Sequence, residues 1–466
     1  MSLKRELSLS DAILLVVGNV VGAGIFTTSG FLAGELPQPT LFIAIWVLGG
    51  LLTLCGACAY AELAALYPLA GGDYQYLKAA YGGGAGFLLG WTNFWIIGPG
   101  SSAALSLALV SYLNAWLPLG GGTTGSLAAA AVIVVFSLIN LRGIRPGGTT
   151  QDLITTGTIL LLIIMIMGGF LFGQGSWGNF SSSAPANSSW RKLVSSPMIA
   201  VIFTYSGWFA SAQIGGEIRD PERNLPRSLI MGTLAVMALY TAINLLYLYG
   251  LPLTAMKGAE NVAQLAVARL FSPGVAALVS IPIVLAIAAS INANIMTGAR
   301  VCYAMASDGR FWSPFGKLHR RYNTPHLAIL AQSVIAVLLV FFGSFSQLLG
   351  YVVFPMILSS MATGVALFVL RFRIPHLPRP YRTLGYPIVP LIFVVSYGLI
   401  ALEIGRTSPG TSLLGIGIAL SGIPFYLWWL SKGGRHDKPF APGAGQICSP
   451  DATGREPAGD CTQTDQ

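Results

Sequence analysis

Twelve long apolar stretches occupy most of the chain between residues 10 and 431. A hydrocarbon core about 30 Å thick requires about 20 apolar residues per helix, and backbone exposed to lipid must satisfy its own hydrogen bonds. We therefore predict an all-α integral membrane fold with twelve transmembrane helices, called spans 1 to 12. The predicted spans are residues 10–33, 40–66, 84–116, 125–141, 150–172, 196–217, 227–250, 273–306, 326–343, 346–370, 385–405 and 411–431.

The distribution of basic residues predicts the orientation of these spans. If the N-terminus is cytoplasmic, five of the 26 Lys and Arg residues fall outside, which leaves 26 − 5 = 21 inside. This asymmetry follows the positive-inside pattern, so we predict a multi-pass protein of the plasma (inner) membrane with both termini cytoplasmic. It also accounts for the net charge of +9 without any nucleic-acid partner. The five outer residues are Arg191, Lys192, Lys257, Arg269 and Arg406.

Spans 1 and 6 are interrupted at their centres by small and polar residues. Span 1 contains "GNVVGAGIF" and span 6 contains "IFTYSGWF". Matching interruptions five spans apart are typical of transporters built from inverted repeats, in which broken helices meet near the bilayer midplane. We predict repeats at about 10–172 and 196–370 and two extra helices within 385–431. Together these form one transmembrane domain, 1–431, followed by a polar, disordered cytoplasmic tail at 432–466.

The chemistry of such breaks favours a zwitterionic ligand. Glycine at 22 and 24 lets the chain leave helical geometry and exposes amides at the start of the next half-helix, where a carboxylate is stabilised. Carbonyl groups freed around Val20, Val21 and residues 202–204 would attract an ammonium group. A ligand with both groups on neighbouring atoms is an α-amino acid. Alternatively, these glycines are notches for helix packing; the second break favours a binding site.

Three segments carry a family resemblance. "GNVVGAGIF", "YPLAGGDYQYLKAAYG" and "FTYSGWFASAQIGGEIRDPERNLPRSL" resemble the L-type amino acid transporter family of the amino acid, polyamine and organocation (APC) superfamily. The resemblance covers about 430 residues in matching order. It implies the LeuT-like five-plus-five inverted repeat of bacterial neurotransmitter:sodium symporters, with two additional helices.

The resemblance also implies positions for the substrate. The carboxylate is expected on Gly22, Ala23 and Gly24, and the amine on carbonyls of Val20, Val21 and Phe203, with Ser206 close by. Thr204, next to Phe203, is also expected among the substrate-binding residues. Phe203 is expected to close over the substrate from outside. The side chain of the substrate is expected to face Ala23, Ser206, Gly207, Trp208 and Ile357. Because unpaired charge at this depth is expensive and none of these residues is charged, neutral amino acids are favoured.

The sequence says less about a coupling ion than about the substrate. Many relatives have a lysine on span 5 where sodium-coupled members hold sodium, and here Thr158 occupies that position. Carbonyls of Gly18 and Val21 and hydroxyls of Ser290 and Thr158 could form an oxygen cage for sodium, although Ala289 lacks the hydroxyl often found there. Alternatively, the Thr158 hydroxyl bonds its own helix backbone.

Proton coupling has few candidate groups, because the acidic residues considered lie near span ends, beside arginines such as Arg300. They are Asp11, Glu62, Asp152, Glu217 and Glu403. Sodium-independent exchange or uniport is therefore the first hypothesis, and sodium- or proton-coupled symport is the alternative.

Other functional classes are less consistent with the sequence. An intramembrane enzyme would need a nucleophile paired with a base or a metal cluster at depth, and we find neither pattern, so we predict no enzyme activity and no cofactor. A membrane amino acid sensor would need a signalling domain, for which the tail offers no room. The loop after span 3, "LPLGGGTTGS", contains no cysteine, and we predict a transporter without a disulfide-linked accessory subunit.

Overall fold

The computed structural model describes residues 3–36, 38–114, 116–117, 122–181, 196–259 and 261–431, and the predicted tail at 432–466 lies outside this part. The described residues form helices joined by short turns. The helices are α1 Leu9–Val20, α2 Gly24–Glu35, α3 Pro39–Leu66, α4 Asp73–Tyr81, α5 Gly83–Thr92, α6 Gly98–Leu113, α7 Thr123–Leu141, α8 Ile144–Phe172, α9 Ser196–Thr204, α10 Ala210–Gln213, α11 Pro221–Gly250, α12 Leu253–Met256, α13 Val262–Leu270, α14 Pro273–Leu278, α15 Ser280–Ser307, α16 His326–Phe342, α17 Phe345–Arg373, α18 Ile388–Thr407 and α19 Pro409–Ser431.

Within the described residues, nine continuous helical segments are long and apolar enough to cross a membrane. A tenth candidate is the bent pair α1 and α2, whose axes differ by 43°. The segment from α5 to α6 is continuous because a five-residue π-helix, Asn93–Ile97, joins them. These helices confirm a helical, multi-pass membrane protein.

Much of the buried interior of the bundle is formed by α1, α3, α6, α11 and α15. Helix α11 packs along α3, and α1 lies against α8, α11 and α15. Helix α17 packs against α6 and α18, whereas α19 contacts the bundle on one side only and leaves most of its residues exposed. The apolar exposed faces are suited to lipid, since a bilayer replaces water around them.

The helix breaks occur where the sequence predicts them. Helix α1 ends at Val20, and Val21 has extended backbone angles (φ −73°, ψ 94°) before α2 begins at Gly24. Helix α9 ends at Thr204 and is followed by turns, in which Gly207 has φ +100°. A side chain at Gly207 would also collide with Asn19, so glycine is required there by both conformation and space.

The bundle has two ends, which we call proximal and distal. The proximal end is the one at which α1 begins, and the distal end is the one at which α2 ends. At the proximal end the chain before α1 pairs with the turn after α10, through a bridge between Leu7 and Ile218 and a hydrogen bond from the Arg219 amide to the Leu7 carbonyl (2.9 Å).

Candidate functional site at the helix breaks

A cavity of about 710 Å³ lies beside the two breaks. It extends toward the distal end, because its lining includes Ser196 at the start of α9, Phe345 at the start of α17 and Thr407 at the end of α18. None of the described residues that line it is Asp, Glu, Lys, Arg or His. The cavity therefore suits a ligand without net charge, because an unpaired charge buried there would find no opposite charge.

Nine of the predicted site and coupling residues line this cavity, and six do not. Those that line it are Val20, Gly22, Ala23, Gly24, Phe203, Thr204, Ser206, Gly207 and Ser290. Those that do not are Gly18, Val21, Thr158, Trp208, Ala289 and Ile357. Both helix breaks thus contribute to one cavity.

Trp208 and Ile357 differ from their predicted position facing the ligand. The Trp208 side chain is 1% exposed and packs edge-to-face on Tyr60, with ring centroids 4.6 Å apart. It serves as core packing because a large aromatic side chain gains most from burial among other rings. Ile357 is also buried between helices, and its neighbours Val353 and Met356 contact the cavity instead. The sequence could not fix which face of α17 is turned inward.

The Tyr240 hydroxyl connects the two breaks, which the sequence did not predict. It donates to the Val20 carbonyl (2.9 Å) and lies 3.2 Å from the Thr204 carbonyl. These are the last carbonyls of α1 and α9, which lose their helical partners where the helices stop. Tyr240 is fully buried in α11, and in the sequence it resembles any other aromatic core residue.

The carbonyls expected to receive an amine already accept hydrogen bonds. Besides the bond from Tyr240 to Val20, the Phe203 carbonyl accepts bonds from the Ser206 amide (3.0 Å) and hydroxyl (2.6 Å). A carbonyl oxygen has two lone pairs, so Val20 retains one for an additional donor, whereas Phe203 has both engaged. By contrast, the amides of Gly22 and Ala23 donate no backbone hydrogen bond within the described part of the chain. The amide half of the predicted site is thus available, and the carbonyl half is more restricted.

Asparagine side chains link α1, the α9–α10 turn and α15. The Asn19 amide donates to the Gly207 carbonyl (2.9 Å), and Asn294 donates to the Asn19 side-chain oxygen (3.1 Å). A third asparagine, Asn292, donates to the Gly147 carbonyl (3.1 Å) on α8. Asparagines in membrane helices commonly form such interhelical bonds. Asn19 and Asn294 also contact the cavity, so they hold the two breaks in register.

The candidate cation site is only partly assembled. The Ser290 hydroxyl lies 3.0 Å from the Gly18 carbonyl and 3.3 Å from the Val21 carbonyl, as an oxygen cage requires. The Thr158 hydroxyl, however, donates to the Ile154 carbonyl of its own helix (2.9 Å). The residues of α8 that lie against Gly18 are instead Thr155 and Gln151. Of the oxygens predicted for this site, those of Gly18, Val21 and Ser290 lie together, whereas the Thr158 hydroxyl is bonded to its own helix.

The proximal end of the cavity is closed by backbone contacts and a buried ion pair. The Gly71 amide donates to the Gln213 carbonyl (2.8 Å), and Arg300 binds both carboxylate oxygens of Glu217, at 2.8 and 3.1 Å. The Arg300 and Glu217 side chains are 0% and 1% exposed. We call this set of contacts the proximal seal. The structure is therefore closed at the proximal end and open toward the distal end.

Comparisons with known proteins agree with this architecture. The amino acid permease family matches residues 7–419. The chain is 30% identical over 430 residues to the serine/threonine exchanger SteT of Bacillus subtilis (strain 168), covering 91% of this chain and 96% of the relative. It is 30% identical over 447 residues to Asc-type amino acid transporter 1 of Mus musculus (92% and 83% covered). It is also 30% identical over 450 residues to large neutral amino acids transporter small subunit 2 of Homo sapiens (92% and 82% covered).

Proposed function

Since the chain belongs to the amino acid permease family, in the APC superfamily of transporters, we propose that it is a secondary transporter that moves neutral L-amino acids by alternating access. The observation that carries the proposal is the cavity beside two helix breaks with no charged residue in its described lining. All three relatives named above are amino acid transporters or exchangers, which supports the same substrate class.

The proposed pose places the substrate carboxylate on the amides of Gly22, Ala23 and Gly24. These groups line the cavity and stand at the start of α2, where the helix dipole favours negative charge. The amine would use the second lone pair of Val20 and other carbonyl oxygens of the breaks. The substrate side chain would extend toward Ser206 and the cavity floor, where Gln213 provides an uncharged polar group.

The complete architecture we propose has twelve transmembrane helices in the five-plus-five inverted repeat. To the nine continuous spans and the bent α1–α2 pair we add the broken segment 196–217 and the 17-residue helix α16. The repeats are 10–172 and 196–370, and α18 and α19 are the two additional helices. The supporting observation is that the first helical region of each repeat is the one that breaks. We further propose that both termini are cytoplasmic, so that the distal end faces outside.

Sodium-independent exchange or facilitated diffusion is the proposed mode. It is supported by the serine/threonine exchanger among the relatives and by Thr158, whose hydroxyl is bonded to its own helix. Sodium-coupled symport is the competing mode, supported by the Ser290 oxygen cluster. We propose that no disulfide-linked subunit is required; a higher-mass species that disappears on reduction, seen on gels of the native membrane, would contradict this.

Reconstituted liposomes test the function and the site together. Labelled neutral amino acids should enter proteoliposomes and should enter faster when the vesicles contain unlabelled substrate. Gly24→Val should abolish uptake, because even a methyl group there would lie 3.0 Å from the Thr204 side chain and would block the α2 amides. Gly405→Val on α18 is the matched control, because nothing lies within 4 Å of its added carbon. Equal uptake by both variants would contradict the proposed site.

Ion replacement tests the mode. Uptake should persist when choline replaces sodium on both sides and when the pH gradient is collapsed. Loss of uptake in choline would favour the sodium-coupled alternative.

A further inference from the structure

A buried carboxyl group below the cavity is not used by the transport site described above. Asp73 is the first residue of α4, in the "YPLAGGDYQYLKAAYG" segment, and is 7% exposed. Its Oδ1 atom is buried and receives no hydrogen bond. A buried charged oxygen without a partner is costly, so this group requires either a bound cation or a proton.

Three further buried hydroxyl groups in this region lack a hydrogen bond of good geometry. They are the hydroxyls of Tyr60, Tyr76 and Thr363, from α3, α4 and α17. Tyr60 lies next to both Asp73 and Thr363, and its ring meets that of Tyr76 edge-to-face, with centroids 6.1 Å apart. Four unsatisfied oxygens from three helices are more than a native core usually leaves together. Hydroxyl groups can donate to or accept from a carboxyl group in either protonation state.

The carboxyl group is separated from the main cavity only by the cavity floor. A small cavity of about 20 Å³, large enough for about one water molecule, is lined by Asp73. It shares five lining residues with the main cavity, namely Asn93, Ile97, Phe209, Gln213 and Met356. Gly71, which donates to Gln213 in the proximal seal, also lines it. Opening the proximal seal would therefore expose Asp73 to water.

Within the described residues, no basic side chain forms an ion pair with Asp73. Two basic groups at this end pair with other carboxylates: Lys78 with Asp308, and Arg300 with Glu217. Arg371 and Arg379 likewise pair with Glu62. Burial accordingly raises the pKa of Asp73 to about 7, an effect that the adjacent Tyr60 hydroxyl opposes. Because this value lies near neutrality, the group titrates under physiological conditions.

We propose that Asp73 is a proton-binding site that holds the proximal seal closed when protonated and releases its proton to the proximal side as the seal opens. The proposal extends the proposed transport function by adding proton control to its proximal gate. Its physical basis is that the closed structure buries the carboxyl group among neutral hydroxyls, whereas the open structure would hydrate it and favour the ionised form.

The direction of the pH effect follows from linkage. The closed state binds the proton more tightly, so lowering the pH favours closure and raising it favours opening. If hydration returns the pKa from about 7 to the ordinary 3.8, the opening equilibrium is constant above pH 7. Below pH 7 it falls about tenfold for each pH unit until about pH 4. Between pH 8 and pH 6 the expected decrease is about tenfold.

Exchange in proteoliposomes, with equal pH on both sides, is the first test. Wild-type exchange should slow by up to about tenfold from pH 8 to pH 6. Asp73→Asn, which mimics the neutral form, should be slow and independent of pH over this range. Tyr60→Phe should shift the wild-type profile to higher pH, because it removes the hydroxyl that opposes the raised pKa. Asp152→Asn, which removes a different partly buried carboxyl group on α8, should retain the wild-type profile.

A second measurement does not depend on transport. Ser359→Cys places a thiol in the small cavity, which is too small for a maleimide while the proximal seal is closed. The native cysteines Cys55, Cys58, Cys302, Cys448 and Cys461 are first replaced. Labelling of the purified protein is then compared with and without Asp73→Asn, so that intrinsic thiol reactivity cancels. The labelling rate with Asp73 present, divided by the rate with Asp73→Asn, should be about tenfold larger at pH 8 than at pH 6.

The proposal would be overturned by a ratio of labelling rates that is equal at pH 8 and pH 6. It would also be overturned if exchange became independent of pH in Asp152→Asn but remained pH-dependent in Asp73→Asn. If the labelling ratio changes as expected while no amino acid is exchanged, the transport function fails and the proton site stands.

Discussion

Replacing Tyr240 by phenylalanine removes one hydroxyl group from the contact between the two helix breaks. The ring remains, so packing against Trp46 (centroids 5.8 Å) and Tyr205 (5.0 Å) is conserved. The change leaves the buried Val20 and Thr204 carbonyls without the donor that lies 2.9 and 3.2 Å away. A buried acceptor that loses its partner costs about 1–3 kcal/mol. If this cost falls on the arrangement that binds substrate, affinity decreases by about 5- to 150-fold.

Equilibrium binding of a labelled neutral amino acid to detergent-purified protein measures this loss directly. Tyr205→Phe is the matched control, because its hydroxyl is equally buried and donates to the Trp46 carbonyl (3.0 Å), which belongs to a continuous helix. We expect Tyr240→Phe to weaken binding and Tyr205→Phe to leave it within a few-fold of wild type. Unchanged binding in Tyr240→Phe, or an equal loss in both variants, would refute the idea that Tyr240 holds the breaks in binding geometry.

Two further predictions concern the proximal seal and the oxygen cluster. Glu217→Gln should lower the free energy of unfolding by about 3–5 kcal/mol, because it leaves Arg300 buried without its charge partner. Glu6→Gln, which affects the exposed pair with Arg145, should cost less than about 1 kcal/mol. Thermal unfolding of the two variants in detergent measures the difference. Equal unfolding midpoints would contradict the stabilising role of the buried Arg300–Glu217 pair. Ser290→Ala should retain uptake when choline replaces sodium. If sodium stimulates uptake by the wild type but not by Ser290→Ala, Ser290 belongs to a sodium site.

The sequence predicted the long helices because their determinants are local. Hydropathy over about 20 residues identifies a membrane helix without reference to its neighbours. Even the breaks at Gly22 and Gly207 were visible, since glycine and polar residues interrupt otherwise uniform apolar stretches. The uncharged character of the cavity followed from the same scarcity of charged residues within the spans.

Residues that depend on helix rotation and on partners distant in the chain were predicted less well. Trp208 was assigned to the cavity but faces Tyr60, and Ile357 was assigned to it although Val353 and Met356 take that place. Tyr240 was missed because an aromatic residue within a membrane helix has no sequence signal that separates packing from hydrogen bonding.

Asp73 illustrates the same limit for titratable groups. The acidic residues predicted as candidates for proton coupling lie near the ends of spans. Asp73 was not among them, because its segment lies between two spans. Only the folded chain shows that α4 turns inward and buries the carboxyl group beside Tyr60.

The sequence alone determined that this chain crosses a membrane repeatedly, that two of its helices are interrupted, and that its central residues are uncharged. These are properties of contiguous residues in a known solvent. The tertiary structure decided which carbonyls of the breaks are already bonded, which side chains reach the cavity and where a carboxyl group lies buried without a partner. Such features arise from contacts between residues far apart in the chain, as between Tyr240 and Val20, and depend on helix rotations that hydropathy does not specify.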